Sequence, residues 1–341
     1  MNRFLSIIKT HKFVNAFCYI FCALYLIFAI AFAFADYNRE IHYSKEMNRL
    51  VNSALKVNRK LENEKFFVID KPQIPAQNTK PLFEDGDTAI IGAFEKLYKS
   101  KSFVMVLNGN MSIYKTILNT EYVFNLAVKD TIIKYNNNLT YDDLSICYVN
   151  GSFPKVFEND VQTYVCFGSK SLRKGKEITS YSNQKSSIIN GEPVTDYTDI
   201  KKEVTPEKCL IADNLPIINR STIKKIKFYK VNYKNGIPTN YYISAEIDSE
   251  KANMKLKEAF NISFPGFSYT PPIYKTTTIT ACLDAYGNLI YFGTNDEAKE
   301  TMITPYGKIT ANCKFYFNYV IGGINKNITF KPEGFDDEFN L

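Results

Sequence analysis

Apolar residues recur with three different periods along the chain, and each period predicts a different element. From Phe13 to Ala35 they are continuous, with Asn15 the only strongly polar residue. At about 1.5 Å per residue, a helix over this run crosses a hydrocarbon core of roughly 30 Å. Arg3, Lys9 and Lys12 precede it, and Asp36 and Glu40 follow. That asymmetry predicts a single-pass anchor at 13–35 with residues 1–12 in the cytoplasm. A cleaved leader is the alternative, because Ala33-Phe34-Ala35 matches a small-x-small cleavage site. The apolar run is, however, longer than the roughly 7–15 residues of a leader core. Both readings place the chain after residue 36 outside the cytoplasm, at the cell membrane.

The second period is 3.5. Tyr43, Met47, Leu50, Ala54, Val57 and Leu61 follow one another at steps of four and three, with no Pro or Gly between them. This predicts a juxtamembrane helix over 36–64 with a narrow apolar seam. The seam either packs on its own domain or pairs two chains over 43–61. Pro72, Pro75 and Pro81 then forbid a regular helix and mark 65–86 as a linker. Asp87 is a candidate N-cap for a short helix ending near Ser100, with Ile90, Phe94, Leu97 and Tyr98 on its buried face.

The third period is 2, and it dominates residues 87–330. "SFVMVLNGNMSIYKTI", "EYVFNLAVKDTIIKY", "LSICYVNGS" and "VQTYVCFGS" are rich in β-branched and aromatic residues. Residues 168–222 are more polar and read as an excursion or a join between halves. Strand signals resume around a hairpin at Asn235-Gly236 and another at Tyr286-Gly287-Asn288. Between them Asp248 is a candidate cap for a second short helix, with Ala252, Leu256, Ala259 and Phe260 inward. Ile309, Ala311, Cys313, Phe315 and Phe317 alternate with polar or exposed types, as in a sheet covered on one face. The tail, residues 331–341, is acidic and expected to fray. The predicted class is α+β: a large curled antiparallel sheet, half-barrel-like, with a few short helices on one face.

Two stretches carry a resemblance. The capped helix before "SKSFVMVLNGNMS", and the late "TITACLDAYGNLIYFGT" with "GKITANCKFYFNYV", resemble in layout the LolA/LppX-type lipoprotein carriers. The resemblance covers roughly residues 87–322. It implies a half barrel closed by helices over an apolar cavity for lipid. The chain departs from that family in carrying a spanning segment instead of a lipobox.

Composition narrows the chemistry. With 45% hydrophobic and 23% charged residues the chain is globular in type. The net charge of +7 is spread in short Lys clusters with interleaved acids, so no nucleic-acid interface is expected. The two histidines, His11 and His42, lie outside the β-rich region, which excludes a His-based triad or zinc site there. No phosphate-cradling glycine motif occurs, and no cofactor or metal is expected. Ser221-Thr222-Ile223-Lys224 matches S-x-x-K, but its companion motifs stand in the wrong order. The acid pairs Asp142-Asp143, Glu158 with Asp160, and Asp296-Glu297 read as solvated turn acids. Cys147 with Cys166, and Cys282 with Cys313, either bridge strands or are buried as apolar residues; Cys209 is left over.

No catalytic residue is nominated. The sharper functional expectation is an anchored extracytoplasmic binding protein for lipid or another apolar ligand. Its strands at 102–108 and 121–128 are apolar on both faces and need cover on each. The nominated lining is Phe103, Met105, Val123, Leu126, Phe315 and Phe317. An envelope interaction protein without a small ligand is the alternative, and an enzyme of unknown type is a distant third.

Overall fold

The computed structural model describes residues 27–46, 49–50, 52, 79–117, 120–151, 166–183, 185–189, 192–196, 199–204, 215–252, 268–304, 307–335 and 339. It divides into two units, Met1–Leu50 and Val51–Leu341. In the first unit residues 27–46 form a helix, α1, that runs unbroken from the apolar run into the predicted stalk. Ile27, Phe28, Ile30, Phe32 and Phe34 are all exposed on it. Among the described residues no helix is long and apolar enough to cross a membrane. Residues 13–26 of the apolar run, and Met47, Ala54, Val57 and Leu61 of the seam, lie outside the described residues.

In the second unit the first element is α2 (Gly86–Lys99). Its N-cap is Asp85, not Asp87: the Asp85 carboxylate accepts from the backbone N–H of Thr88 at 2.8 Å, and Asp87 lies in the first turn. The cap bond holds the Asp85 carboxyl below its ordinary range. Ala89, Ile90, Ala93, Phe94 and Leu97 form its buried face. A second helix, α3, spans Ser249–Ala252. Asp248 caps it as expected, accepting from the N–H of Lys251.

Among the described residues thirteen strands follow α2. They are β1 (Phe103–Ile117), β2 (Thr120–Asn136), β3 (Leu139–Gly151), β4 (Cys166–Lys174), β5 (Glu177–Asn183), β6 (Lys185–Ile189), β7 (Glu192–Asp196), β8 (Asp199–Val204), β9 (Ile223–Lys234), β10 (Ile237–Ile247), β11 (Ser268–Asp284), β12 (Leu289–Thr304) and β13 (Gly307–Gly322). Eleven make one open sheet in the order β8-β5-β4-β3-β2-β1-β13-β12-β11-β10-β9, while β6 and β7 form a separate hairpin. Neighbouring strands in the large sheet pair antiparallel. Two meanders are thus joined where β1 meets β13. The polar stretch 168–222 is no plain excursion, since it holds β5–β8 and most of β4. Its polarity reflects position: β8 is an edge strand, and edges tolerate polar residues on both faces.

Open sheets of more than about ten strands curl, and here the curl closes around α2. One continuous core joins Phe94 and Leu97 of α2 to Phe103, Met105 and Leu107 of β1, Val128 and Ile132 of β2, Tyr319 and Ile321 of β13, Phe292 of β12 and Ile243 of β10. The parity is regular. Odd positions of β1 and β13, and even positions of β2, β3 and, past the register shift near Leu289, β12, point inward. The odd face of β13 is buried at Ala311, Cys313 and Phe315 as the alternation predicts.

The outward face of β1–β5 carries its own cover. Val104, Ile133, Tyr141 and Leu172 pack beneath Ile328 and Phe335. Phe335 is fully buried between Tyr141 and Tyr181, both edge-on to it. The Tyr181 hydroxyl donates to the Gly334 carbonyl at 2.7 Å, and that of Tyr135 to Phe330 at 2.9 Å. The acidic tail is therefore pinned at Phe335 and does not fray there; one large aromatic outweighs its charge. Cys282 and Cys313 are both buried. Cys282 pairs with the outward Tyr291 and Cys313 with the inward Ala298, so they lie on opposite faces. Cys147 and Cys166 are register partners across β3 and β4.

Candidate functional site

The concave face has two apolar regions and a polar band. The first region is the core under α2. The second, further along β1, β12 and β13, contains Met111, Ile113, Ala298, Ala311, Cys313 and Phe315, with Leu126, Tyr274 and Phe317 packed against it. No residue of α2 or α3 belongs to it. Phe317 touches both regions and is half-buried. Its ring lies across Gly109: a Cβ there would come within 2.2 Å of Phe317 Cδ1. Gly109→Ala should displace that ring and lower stability by about 1–3 kcal/mol. Urea unfolding checks this, and an unchanged midpoint would contradict the placement.

Among the described side chains, three inward positions are acids. Asp130 on β2 follows the inward Val128 and precedes the inward Ile132. Asp142 on β3 faces Ile132 in register, diagonal to Asp130, whose own register partner is Leu144. Asp296 on β12 is only 5% exposed. Asp130 and Asp142 are half-buried as residues. Yet Oδ1 of Asp130, of Asp142 and of Asp296 is inaccessible and accepts no hydrogen bond. Asp130 and Asp142 are hydrogen-bonded to each other, which requires that they share a proton. Burial, then the Asp142 charge, pushes the Asp130 carboxyl well above the carboxylate range. Burial also raises Asp142, while the bond from Asp130 opposes it. Burial pushes Asp296 up to about 6, against hydrogen bonds from the Thr277 and Thr294 hydroxyls. Tyr319 stacks on Phe292 with centroids 4.2 Å apart and planes at 10°. Burial, and then the charges of Asp296 and Asp130, raise its phenol too, so it lies within electrostatic reach of both.

The six nominated residues are not one lining. Phe103 and Met105 are 3% and 1% exposed in the core under α2. Leu126, Phe315 and Phe317 do meet, in the second region. The Val123 side chain lies outside the described ones. The acid pairs need correction: Asp142 and Asp296 are strand residues turned inward, not turn acids. Asp130 was not singled out at all. The missed signal is parity, since each acid occupies the inward step of an alternating strand. Ser221 sits in a turn around Asn219, whose Oδ1 accepts from its N–H and hydroxyl, so S-x-x-K marks no site. Among the described residues no cluster of His, Cys, Asp or Glu suits a metal ion.

No protein-family model matches the chain. No curated protein matches it. Among solved structures the chain is similar in layout to an outer membrane channel from Pseudomonas putida F1, with 7% identity, a TM-score of 0.22, and 65% of this chain and 96% of that chain covered. A LolA superfamily protein from Nitrosomonas europaea gives 9% identity, a TM-score of 0.18, and coverage of 74% and 97%. A DUF1329 family protein from Desulfovibrio piger ATCC 29098 gives 8%, 0.20, and 72% and 95%. The likeness to the LolA superfamily is weak and one of layout, as in the sequence.

Proposed function

We propose that the chain is a membrane-anchored, extracytoplasmic binding protein that holds an apolar molecule on the concave face of its sheet, without catalysing a reaction. One observation carries this reading. On the concave face, inward apolar side chains of three strands, Leu126, Leu144 and Phe317, stay half-buried, whereas Phe94, Leu97, Met105 and Phe292 in the core under the helix are sealed. An inward apolar surface left partly open inside a curled sheet is the geometry of a ligand site. The anchor is the run 13–35, supported by its length, the preceding positive charges and the exposed Ile27, Phe28, Ile30, Phe32 and Phe34 on α1.

Transfer of an alkyl chain from water contributes about 0.8 kcal/mol per CH2, so a ligand of this class should survive mild washing. The full-length chain, extracted from membranes, is expected to carry apolar molecules visible by native mass spectrometry. A neutral fluorescent alkyl probe should bind it and raise its Tm, with roughly 2.7 kcal/mol of stabilisation at a hundred times Kd. A chain that carries nothing, and whose Tm the probe leaves unmoved, overturns the reading in favour of an envelope interaction protein.

A further inference from the structure

We propose that the occupant of the concave face is an amphiphile with a protonated amine head. This rests on the apolar-binding reading. Its alkyl chain lies on Leu126, Leu144 and Phe317, and its ammonium compensates the charge of the Asp130–Asp142 pair.

The charge balance of the face carries the argument. Oδ1 of Asp130 and of Asp142 are both inaccessible and unpartnered, although the two residues hydrogen-bond to each other. The pair thus holds one proton between two carboxyls and leaves one oxygen of each without a donor. Burying carboxyl oxygens without donors is unfavourable, and the usual remedy is a cation or a second donor. Among the described residues no Lys, Arg or His pairs with Asp130, Asp142 or Asp296. Lys129, adjacent to Asp130, stands on the outward step of β2, and the inward Lys134 is committed elsewhere: its Nζ donates to the Ser100 carbonyl at the end of α2, at 2.6 Å.

A separate observation comes from β12. Asp296 is 5% exposed and its Oδ1 is also unpartnered. Tyr319 lies within electrostatic reach of both Asp296 and Asp130. The interior therefore carries negative potential from both halves of the sheet, and one oxygen of each of the three acids lacks a donor. An anionic head is repelled there. A neutral hydroxyl satisfies one oxygen and leaves the charge. An ammonium offers three donors and a compensating charge. Leu144 is the register partner of Asp130, so head and chain contacts are adjacent on the same face.

The test uses the full-length chain held in amphipol and displacement of the neutral fluorescent probe. Dodecylamine, dodecanol and laurate share one chain length and differ only in the head. Dodecylamine is expected to bind at least tenfold more tightly than either. Asp142→Asn should remove most of that advantage and leave dodecanol affinity within twofold. Equal affinities for the three, or an advantage untouched in a folded Asp142→Asn chain, overturn the amine assignment while leaving apolar binding intact. If the neutral probe itself fails to bind, the underlying reading falls, and the inference with it. Head-group source is read with lysophosphatidylethanolamine against lysophosphatidylglycerol. Preference for the first alongside dodecylamine assigns lipid amines, and binding of dodecylamine alone assigns free alkylamines; both support the proposal. Tighter binding of the glycerol lipid overturns it. The head-group comparison on the unaltered chain stands even if the Asn variant does not fold.

Discussion

Phe315→Asp is expected to unfold the sheet domain, whereas Tyr316→Asp one residue away should leave it folded. Phe315 is 1% exposed and packs between Tyr274 and Phe317, with ring centroids 6.2 and 5.9 Å away. Deleting a buried Phe side chain costs about 3–5 kcal/mol. An aspartate there adds the desolvation of a charge with no partner. The sum approaches the whole stability of an ordinary domain, about 5–15 kcal/mol. Tyr316 points to the outward face and is 43% exposed, so its replacement should fall within about 1 kcal/mol. Urea unfolding of the two variants, followed by near-UV circular dichroism, separates them. Equal losses would mean that β13 does not present alternate faces.

That contrast was legible from sequence because β13 alternates cleanly between Ile309 and Asn318. The helix α2 was legible for a similar reason, since Ile90, Phe94 and Leu97 mark one face at helical spacing. Its cap was misplaced by two residues because Asp85 and Asp87 are equally good candidates by type, and only Thr88 chooses between them. The hairpin at Asn235-Gly236 was also legible. Both residues have positive φ, 53° and 75°, as a tight two-residue β turn requires. Strands β4, β5 and β8 were harder, since near a sheet edge hydrophobic patterning fades and backbone pairing alone defines the strand.

The candidate site was least legible, and for a physical reason. Asp142 and Asp296 stand beside other acids, Asp143 and Glu297, and a pair of acids ordinarily means solvent. In a strand the two members of such a pair point to opposite faces. Asp143 and Glu297 occupy the outward step, and Glu297 meets Lys314 there at 3.7 Å. Asp142 and Asp296 occupy the inward one. Sequence shows the pair; only the register shows that it is split between water and core. The same logic divides the nominated lining, because Phe103 and Phe315 share parity but α2 covers only the first.

The acids that make the concave face selective should also make the empty protein less stable at neutral pH, and Asp296 shows by how much. Its folded pKa lies at about 6 against 3.8 for the ordinary group. The folded state therefore holds the proton more tightly than the unfolded one. Between about pH 4 and 6 stability must fall as pH rises, and the loss is complete above the folded value. At 1.36 kcal/mol per unit, the shift amounts to roughly 3 kcal/mol. Asp130 and Asp142 are raised as well and act in the same direction. The caps Asp85 and Asp248 act oppositely, because their lowered values contribute stability that is lost only as pH falls below the ordinary range. Without ligand, the domain should be most stable near about pH 4. Asp296→Asn keeps the shape and removes the charge. Its Tm should match that of the parent chain near pH 4.5 and exceed it near pH 7.5, at about 2–4 °C per kcal/mol. The two melting curves across that range decide the matter. A variant less stable than its parent at pH 7.5, or a gap that does not change with pH, would show that Asp296 is satisfied as a carboxylate, and that the interior lacks the uncompensated negative charge from which the amine preference follows.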